Sequence, residues 1–171
     1  MHGRGDDITV ERVAPAVSYD LRRRVLRPGR PLDAARLAVD GDPRTATFAA
    51  RTADGRVVGT AVVYPEPCPW RPDAAAWRLR GMATERERRD RGIGARVLRA
   101  ALTHVAAEGG RLVWCNARVP ARRFYERAGF AVHGEPWDDP EIGPHVAMAL
   151  SLPPAGPEPV GGATGADAAG A

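Results

Sequence analysis

Two glycines separated by one residue, Gly92 and Gly94, fall between a segment that alternates like a strand and a run with helical periodicity. This junction restricts the fold more than any other part of the chain. Upstream, residues 75–83 (Ala-Ala-Trp-Arg-Leu-Arg-Gly-Met-Ala) alternate as a strand does, and downstream Val97, Leu98, Ala101, Leu102 and Val105 recur on one helical face. The unit is strand, short loop, helix. Glycine lets the chain turn tightly there, and the unpaired N–H groups of a helix start, together with the helix dipole, attract an anion. Arg88, Arg89 and Arg91 add charge at the same place. A phosphate group is the expected anion.

Neither common nucleotide loop fits. The phosphate loop of nucleoside triphosphatases ends in Gly-Lys-Ser/Thr, and this chain has no lysine. The dinucleotide fingerprint requires a third glycine where Val97 stands. A second segment narrows the choice. Residues 111–117 (Arg-Leu-Val-Trp-Cys-Asn-Ala) read as a buried strand, followed by a short helix over residues 120–128, with Pro120 in its first turn and Gly129 at its end.

The pattern Arg89-x-x-Gly92-x-Gly94, followed by Asn116 and then Ala121-x-x-Phe124-Tyr125-x-x-x-Gly129-Phe130, resembles the two signatures of the GCN5-related N-acetyltransferases, the GNAT superfamily, in their order and spacing. The resemblance runs from about residue 8 to residue 152. Arg-Val-Leu-Arg-Pro-Gly at residues 24–29 and Ile-Gly-Pro-His at residues 142–145 are similar to one bacterial-type subgroup of it. The resemblance implies an α/β fold in the α+β sense, a central mixed sheet flanked by helices, whose fourth and fifth strands splay apart to admit the pantetheine arm of acetyl-CoA.

It also implies roles for particular residues. The backbone of Arg89, Asp90, Arg91, Gly92, Ile93 and Gly94 would hold the pyrophosphate, and Met82, Ala83 and Thr84 would contact the pantetheine. An N–H near Gly81 or Met82 would polarise the thioester oxygen, although a bulge or close packing also explains a glycine there. Asn116 would touch the cofactor, or serve as a turn former. Family members commonly have glycine where Asp90 stands, so its carboxylate should point to solvent. Tyr125 would be the general acid for the departing thiolate, with Phe124 packing in the core. Free tyrosine titrates near ~10 and a thiol near ~8.5, so hydrogen bonding rather than full proton transfer would do most of the stabilising.

The amine acceptor needs a base. Glu66, Glu135, Asp138, Asp139, Glu141 and His145 are candidates; His145 has the best intrinsic chemistry, though a histidine satisfied by nearby backbone is the alternative. His2, His104 and His133 lack metal-site spacing, so no metal is expected, and His104 is placed on the exposed face of its helix. The only serines, Ser18 and Ser151, sit in no nucleophile elbow, and Cys115 lies in a strand that reads as buried. Direct transfer in a ternary complex follows. The function implied is N-acetyl transfer from acetyl-CoA to a primary amine of a small molecule or peptide; the alternative is an inactive acyl-CoA-binding sensor or interaction module of the same fold. Glu66 and the Asp138-Asp139 pair lean toward a cationic acceptor, and Trp70 and Trp137 either line an apolar pocket or pack.

At 171 residues the chain suits one domain, over residues 8–152, with a flexible start at 1–7 and a Pro/Gly/Ala-rich, disordered tail at 153–171. No apolar run suggests a signal peptide or a membrane span, so a cytoplasmic protein with no membrane partner is expected. The formal charge of +4 is carried entirely by arginine in a chain rich in Ala, Gly and Pro. That points to coding bias and an anionic cofactor rather than to nucleic acid. Homodimers are common in the family, and one is possible here. Strands are expected at 8–13, 45–51, 56–63, 75–83, 111–117, 130–133 and 145–150. The helices are at 19–26 (capped by Ser18), 33–39, the post-glycine run and 120–128. Asp54-Gly55 forms a hairpin, and loops lie at 65–72 and 134–144.

Overall fold

The computed structural model describes residues 7–72 and 74–154. The expected flexible start through residue 6 and the tail from residue 155 lie outside the described residues; Asp7, Pro153 and Pro154 are exposed and carry no regular structure. Seven strands form one sheet in the order β1-β2-β3-β4-β5-β7-β6: β1 (Thr9–Val13), β2 (Ala46–Arg51), β3 (Val57–Pro65), β4 (Ala76–Thr84), β5 (Leu112–Arg118), β6 (Ala131–Asp139) and β7 (Gly143–Ser151). Every neighbouring pair is antiparallel except β4 and β5. Parallel strands need a crossover, and α2 (Ile93–Ala107) supplies it.

The helix α2 buries Ile93, Val97, Leu98, Ala101 and Val105 against one face of the sheet, where Val63, Leu79, Val113 and Cys115 complete the main core. On the opposite face lies α1 (Tyr19–Leu26), packed on β3 and β4. The short α3 (Arg122–Arg127) follows β5 through a 3₁₀ turn that begins with Val119 and Pro120. Ser18 does not cap α1 through its side chain. It lies in a preceding 3₁₀ turn, and its hydroxyl donates to the Pro15 carbonyl at 2.7 Å. The expected helix at 33–39 is one 3₁₀ turn, Leu32–Ala35.

The terminal hairpin departs most from expectation. Instead of two short strands around a loop at 134–144, β6 and β7 are nine residues each and only residues 140–142 connect them. An edge strand with almost every residue exposed has no apolar alternation to betray it, and Pro136 is tolerated because an edge N–H needs no partner. His104 is also not on an exposed face: its ring sits 5.7 Å from both Phe48 and Trp77, and burial lowers its pKa.

Candidate active site

The sheet opens in its middle. β4 and β5 pair only from Ala76, Trp77 and Arg78 to Leu112, Val113 and Trp114, while β5 stays paired with β7 as far as Arg118 and His145. Beyond Arg78 and Trp114 the two parallel strands diverge. The gap leads into a cleft of about 1150 Å³, edged by Gly81, Met82, Ala83 and Thr84 from β4 and by Cys115, Asn116, Ala117 and Arg118 from β5. Asn116 is exposed in a strand otherwise buried or half-buried, at a point where β5 no longer pairs with β4.

On its other side β4 carries a bulge. Thr60 faces Ala83 and Val62 faces Arg80, so Gly81 and Met82 together stand opposite Ala61. Gly81 has φ +59°, a left-handed conformation that glycine adopts without strain. A Cβ there would lie 3.0 Å from Val62 Cγ2 and 3.2 Å from Arg22 Nε. The bulge and the close packing weighed as alternatives for Gly81 are therefore both present. They also turn main-chain groups out of the ladder at the point where the gap begins.

At the far end of β4 the chain enters the glycine loop. Asp90 has φ +62° and Gly92 has φ +75°. The first intrahelical bond of α2 runs from the Arg96 N–H to the Gly92 carbonyl at 3.1 Å, which leaves the N–H groups of Ile93, Gly94 and Ala95 without helical acceptors. Gly94 is needed for close approach, since a Cβ would lie 3.1 Å from Thr84 Oγ1 and 3.2 Å from Phe124 Cε2. Arg89, Asp90, Gly92, Ile93 and Gly94 border the cleft; Arg91 is exposed and does not. Asp90 is exposed as well.

Beneath the loop, Glu85 is 2% exposed and bonds Arg24, Arg56 and Arg88, which fixes the exit of β4. Sequence reading missed it, and also missed Arg22, which is 2% exposed and pairs with Asp40 at 3.2 Å. Burial lowers the pKa of Arg22, while its Nε has no partner among the described residues. In the sequence, Arg22 is one of three consecutive arginines and nothing marks it as the buried one.

Tyr125 is 6% exposed, packed edge-on to Phe124 and Phe130, and borders the cleft. The expected division of labour with Phe124 is reversed in burial: Tyr125 is the deeper ring, while Phe124 is half-buried beside Gly94. Burial, and then the neighbouring Cys115, push the phenol pKa well above the ordinary tyrosine value. Burial pushes the Cys115 thiol up to about 12, which disfavours the thiolate an acyl carrier needs.

Among the base candidates, His145 and Asp139 border the cleft; Glu135, Asp138 and Glu141 do not, and Glu66 is engaged by Arg78 at 3.0 Å. His145 Nδ1 lies 2.8 Å from the Gly143 carbonyl, which can only accept; Nδ1 therefore donates, and Nε2 keeps a free lone pair in the neutral ring. Residues paired across antiparallel strands share a face, so Arg118, His145 and Trp137 stand in one row. Trp137, 40% exposed, lies 5.9 Å from the His145 ring. Trp70 packs, stacked at 4.5 Å on His133. Among the described residues no cluster of His, Cys, Asp or Glu could hold a metal, and no helix is long and apolar enough to cross a membrane.

Residues 18–130 match the family model described as Acetyltransferase (GNAT) family. The chain is also 32% identical over 148 residues to the uncharacterized N-acetyltransferase YitI of Bacillus subtilis (strain 168), covering 85% of this chain and 97% of that protein. The chain belongs to the acetyltransferase (GNAT) family. Its general chemistry is acetyl transfer. Solved GNAT structures share the fold: an aminoglycoside 6'-N-acetyltransferase complexed with coenzyme A superposes with a TM-score of 0.66 at 18% identity, covering 86% of this chain and 99% of that one. A GNAT family acetyltransferase from Elizabethkingia anophelis with acetyl-CoA bound gives 0.62 at 17% identity, with 86% and 99% covered. The mixed sheet, the split between β4 and β5 and the bulge are thus set in a GNAT acyl-CoA N-acyltransferase fold.

Proposed function

We propose that the protein is an N-acetyltransferase that moves an acetyl group from acetyl-CoA to the amine of a small molecule or peptide, by direct attack within a ternary complex. The observation that carries this reading is the continuity of one cleft from the unclaimed N–H groups at the start of α2, through the opening between β4 and β5, to the row of Arg118, His145 and Trp137. Ligand clefts are typically about 300–1,000 Å³, so this one is large enough for an extended co-substrate and an acceptor together.

The residues present suit acetyl-CoA. The amides of Ile93 and Gly94, at the positive end of the α2 dipole, would hold the diphosphate, with Arg89 supplying charge. Asp90 is the one ill-matched group, and its exposure limits the damage. Met82, Ala83 and Thr84 offer main-chain groups along one side of the gap, and Asn116 offers an amide on the other. At the bulge, a main-chain N–H of Gly81 or Met82 would stabilise the oxyanion; one such donor is typically worth about 3 kcal/mol.

In the transfer step the amine lone pair attacks the thioester carbon, the new C–N bond forms and the C–S bond breaks. The proton lost from nitrogen passes to His145 Nε2, directly or through one water. Tyr125 then donates a hydrogen bond to the departing thiolate. Because burial holds that phenol protonated, it serves as a donor rather than as a full proton source.

The test is thiol release from acetyl-CoA across amines, amino acids, polyamines and peptide N-termini, repeated with Tyr125→Phe. We expect turnover to fall by about 10-fold or more while acetyl-CoA affinity stays within about 2-fold, since loss of a transition-state contact changes kcat rather than binding. Acetyl-CoA binding without release on any amine would favour the alternative, a non-catalytic acyl-CoA-binding module.

A further inference from the structure

Three arginines in the acceptor half of the cleft, Arg27, Arg80 and Arg118, form no ion pair with any described residue. Arg80 stands one residue before the bulge, on the face of β4 turned toward α1, and its guanidinium has no hydrogen bond or ion pair with any described residue. Arg27 and Arg118 each donate to the Leu26 carbonyl at the end of α1, at 2.9 and 2.8 Å, and neither meets a carboxylate. Burial, then the nearby Arg27, lower the pKa of Arg118, and Arg80 contributes to the lowering at Arg22. Such mutual repulsion is costly without an anion between the guanidiniums. All four arginines border the cleft. The neighbouring carboxylates Asp40 and Glu66 are spent on Arg22 and Arg78.

These arginines do not sit where the diphosphate would. β4 runs from Arg80 through the bulge to Thr84 and only then into the glycine loop. A thioester carbonyl at the bulge therefore has the diphosphate on one side and Arg80 on the other. Among the described residues the one acid bordering this half is Asp139, which suits an ammonium before it is deprotonated. Leu37, Trp137 and Ile142 add apolar wall.

Building on the transferase reading above, we infer that the acceptor is an amine carrying a carboxylate a few bonds from the reacting nitrogen, as in a free amino acid, with Arg80 and Arg118 receiving the carboxylate. Guanidinium and carboxylate match geometrically through two parallel N–H···O bonds. This replaces the cationic acceptor that the acidic loop residues suggested.

The experiment compares kcat/KM for matched pairs, each amino acid against its own carboxamide, in the wild type, Arg80→Ala and Arg80→Lys. Arg80 is exposed and its guanidinium is unpaired among the described residues, so its removal should leave thermal unfolding unchanged, and acetyl-CoA calorimetry confirms a competent site. We expect the wild type to prefer the acid by about 10-fold or more, the scale of one charge-assisted bond. In Arg80→Ala the acid-to-amide ratio should fall toward one, with Arg80→Lys between. The less basic amine of the carboxamide biases the comparison against this outcome. Equal or better use of the amides, or a ratio untouched in both Arg80→Ala and Arg118→Ala, overturns the carboxylate inference and leaves the transferase intact. Acetylation of neither member of any pair overturns the carboxylate inference, and the transferase falls with it only if no amine of the wider panel releases thiol while acetyl-CoA still binds.

Discussion

Asp90 sets a left-handed backbone and a negative charge beside amides that would bind a diphosphate, and two substitutions separate these effects. Asp90→Asn keeps a side chain that tolerates positive φ but removes the charge. With the carboxylate ~8 Å from two phosphate charges and an effective dielectric of ~40, the repulsion is ~1 kcal/mol per charge, reduced by screening at physiological salt to ~0.8 kcal/mol in total. That corresponds to ~4-fold tighter acetyl-CoA binding in Asp90→Asn. Asp90→Gly also relieves the φ of +62° and should gain as much affinity, while part of the strain relief is offset by the greater freedom of its unfolded chain. Calorimetric titration of acetyl-CoA at low and high salt is the assay, and the gain should shrink as salt rises. Unchanged or weaker binding in Asp90→Asn at low salt would mean that the diphosphate does not sit on this loop.

Gly81→Ala would force a Cβ to within 3.0 Å of Val62 Cγ2 at a left-handed position, costing about 1–2 kcal/mol and shifting the bulge; turnover should fall by about 10-fold or more with acetyl-CoA affinity little changed, read from initial rates and calorimetry. Cys115 binds its proton more tightly folded than unfolded, so stability is whole below the ordinary thiol range and declines as the pH rises toward about 12, by up to about 1.4 kcal/mol per pH unit. Urea midpoints from pH 8 to 11 should show that decline, and Cys115→Ala should flatten it. Glu85→Gln leaves Arg24, Arg56 and Arg88 without their shared carboxylate and should lower stability by about 2–3 kcal/mol in urea unfolding.

Much of this was legible in the chain because the relevant signals are local. The glycine pair, the helical spacing of Val97, Leu98, Ala101 and Val105, and Asn116 before the Phe124-Tyr125 helix placed β4, α2, β5 and α3 to within a few residues. What escaped depends on contacts distant in sequence. Arg22 is buried only because Asp40 and the bulge at Gly81 surround it, and Glu85 only because three arginines from separate segments converge on it. The length of β6 was invisible because an exposed edge strand needs no apolar periodicity. The acceptor half reads differently in the sequence for a related reason: Glu66 counts as free acid there, and its pairing with Arg78 appears only once the strands are side by side.

Three residue pairs join β4 to β5, and past them the two strands diverge along the cleft. An edge made of peptide groups is indifferent to which side chains the sequence supplies. Proteins sharing under a fifth of their residues with this one can therefore keep the same fold, while the side chains that wall the cleft are free to differ.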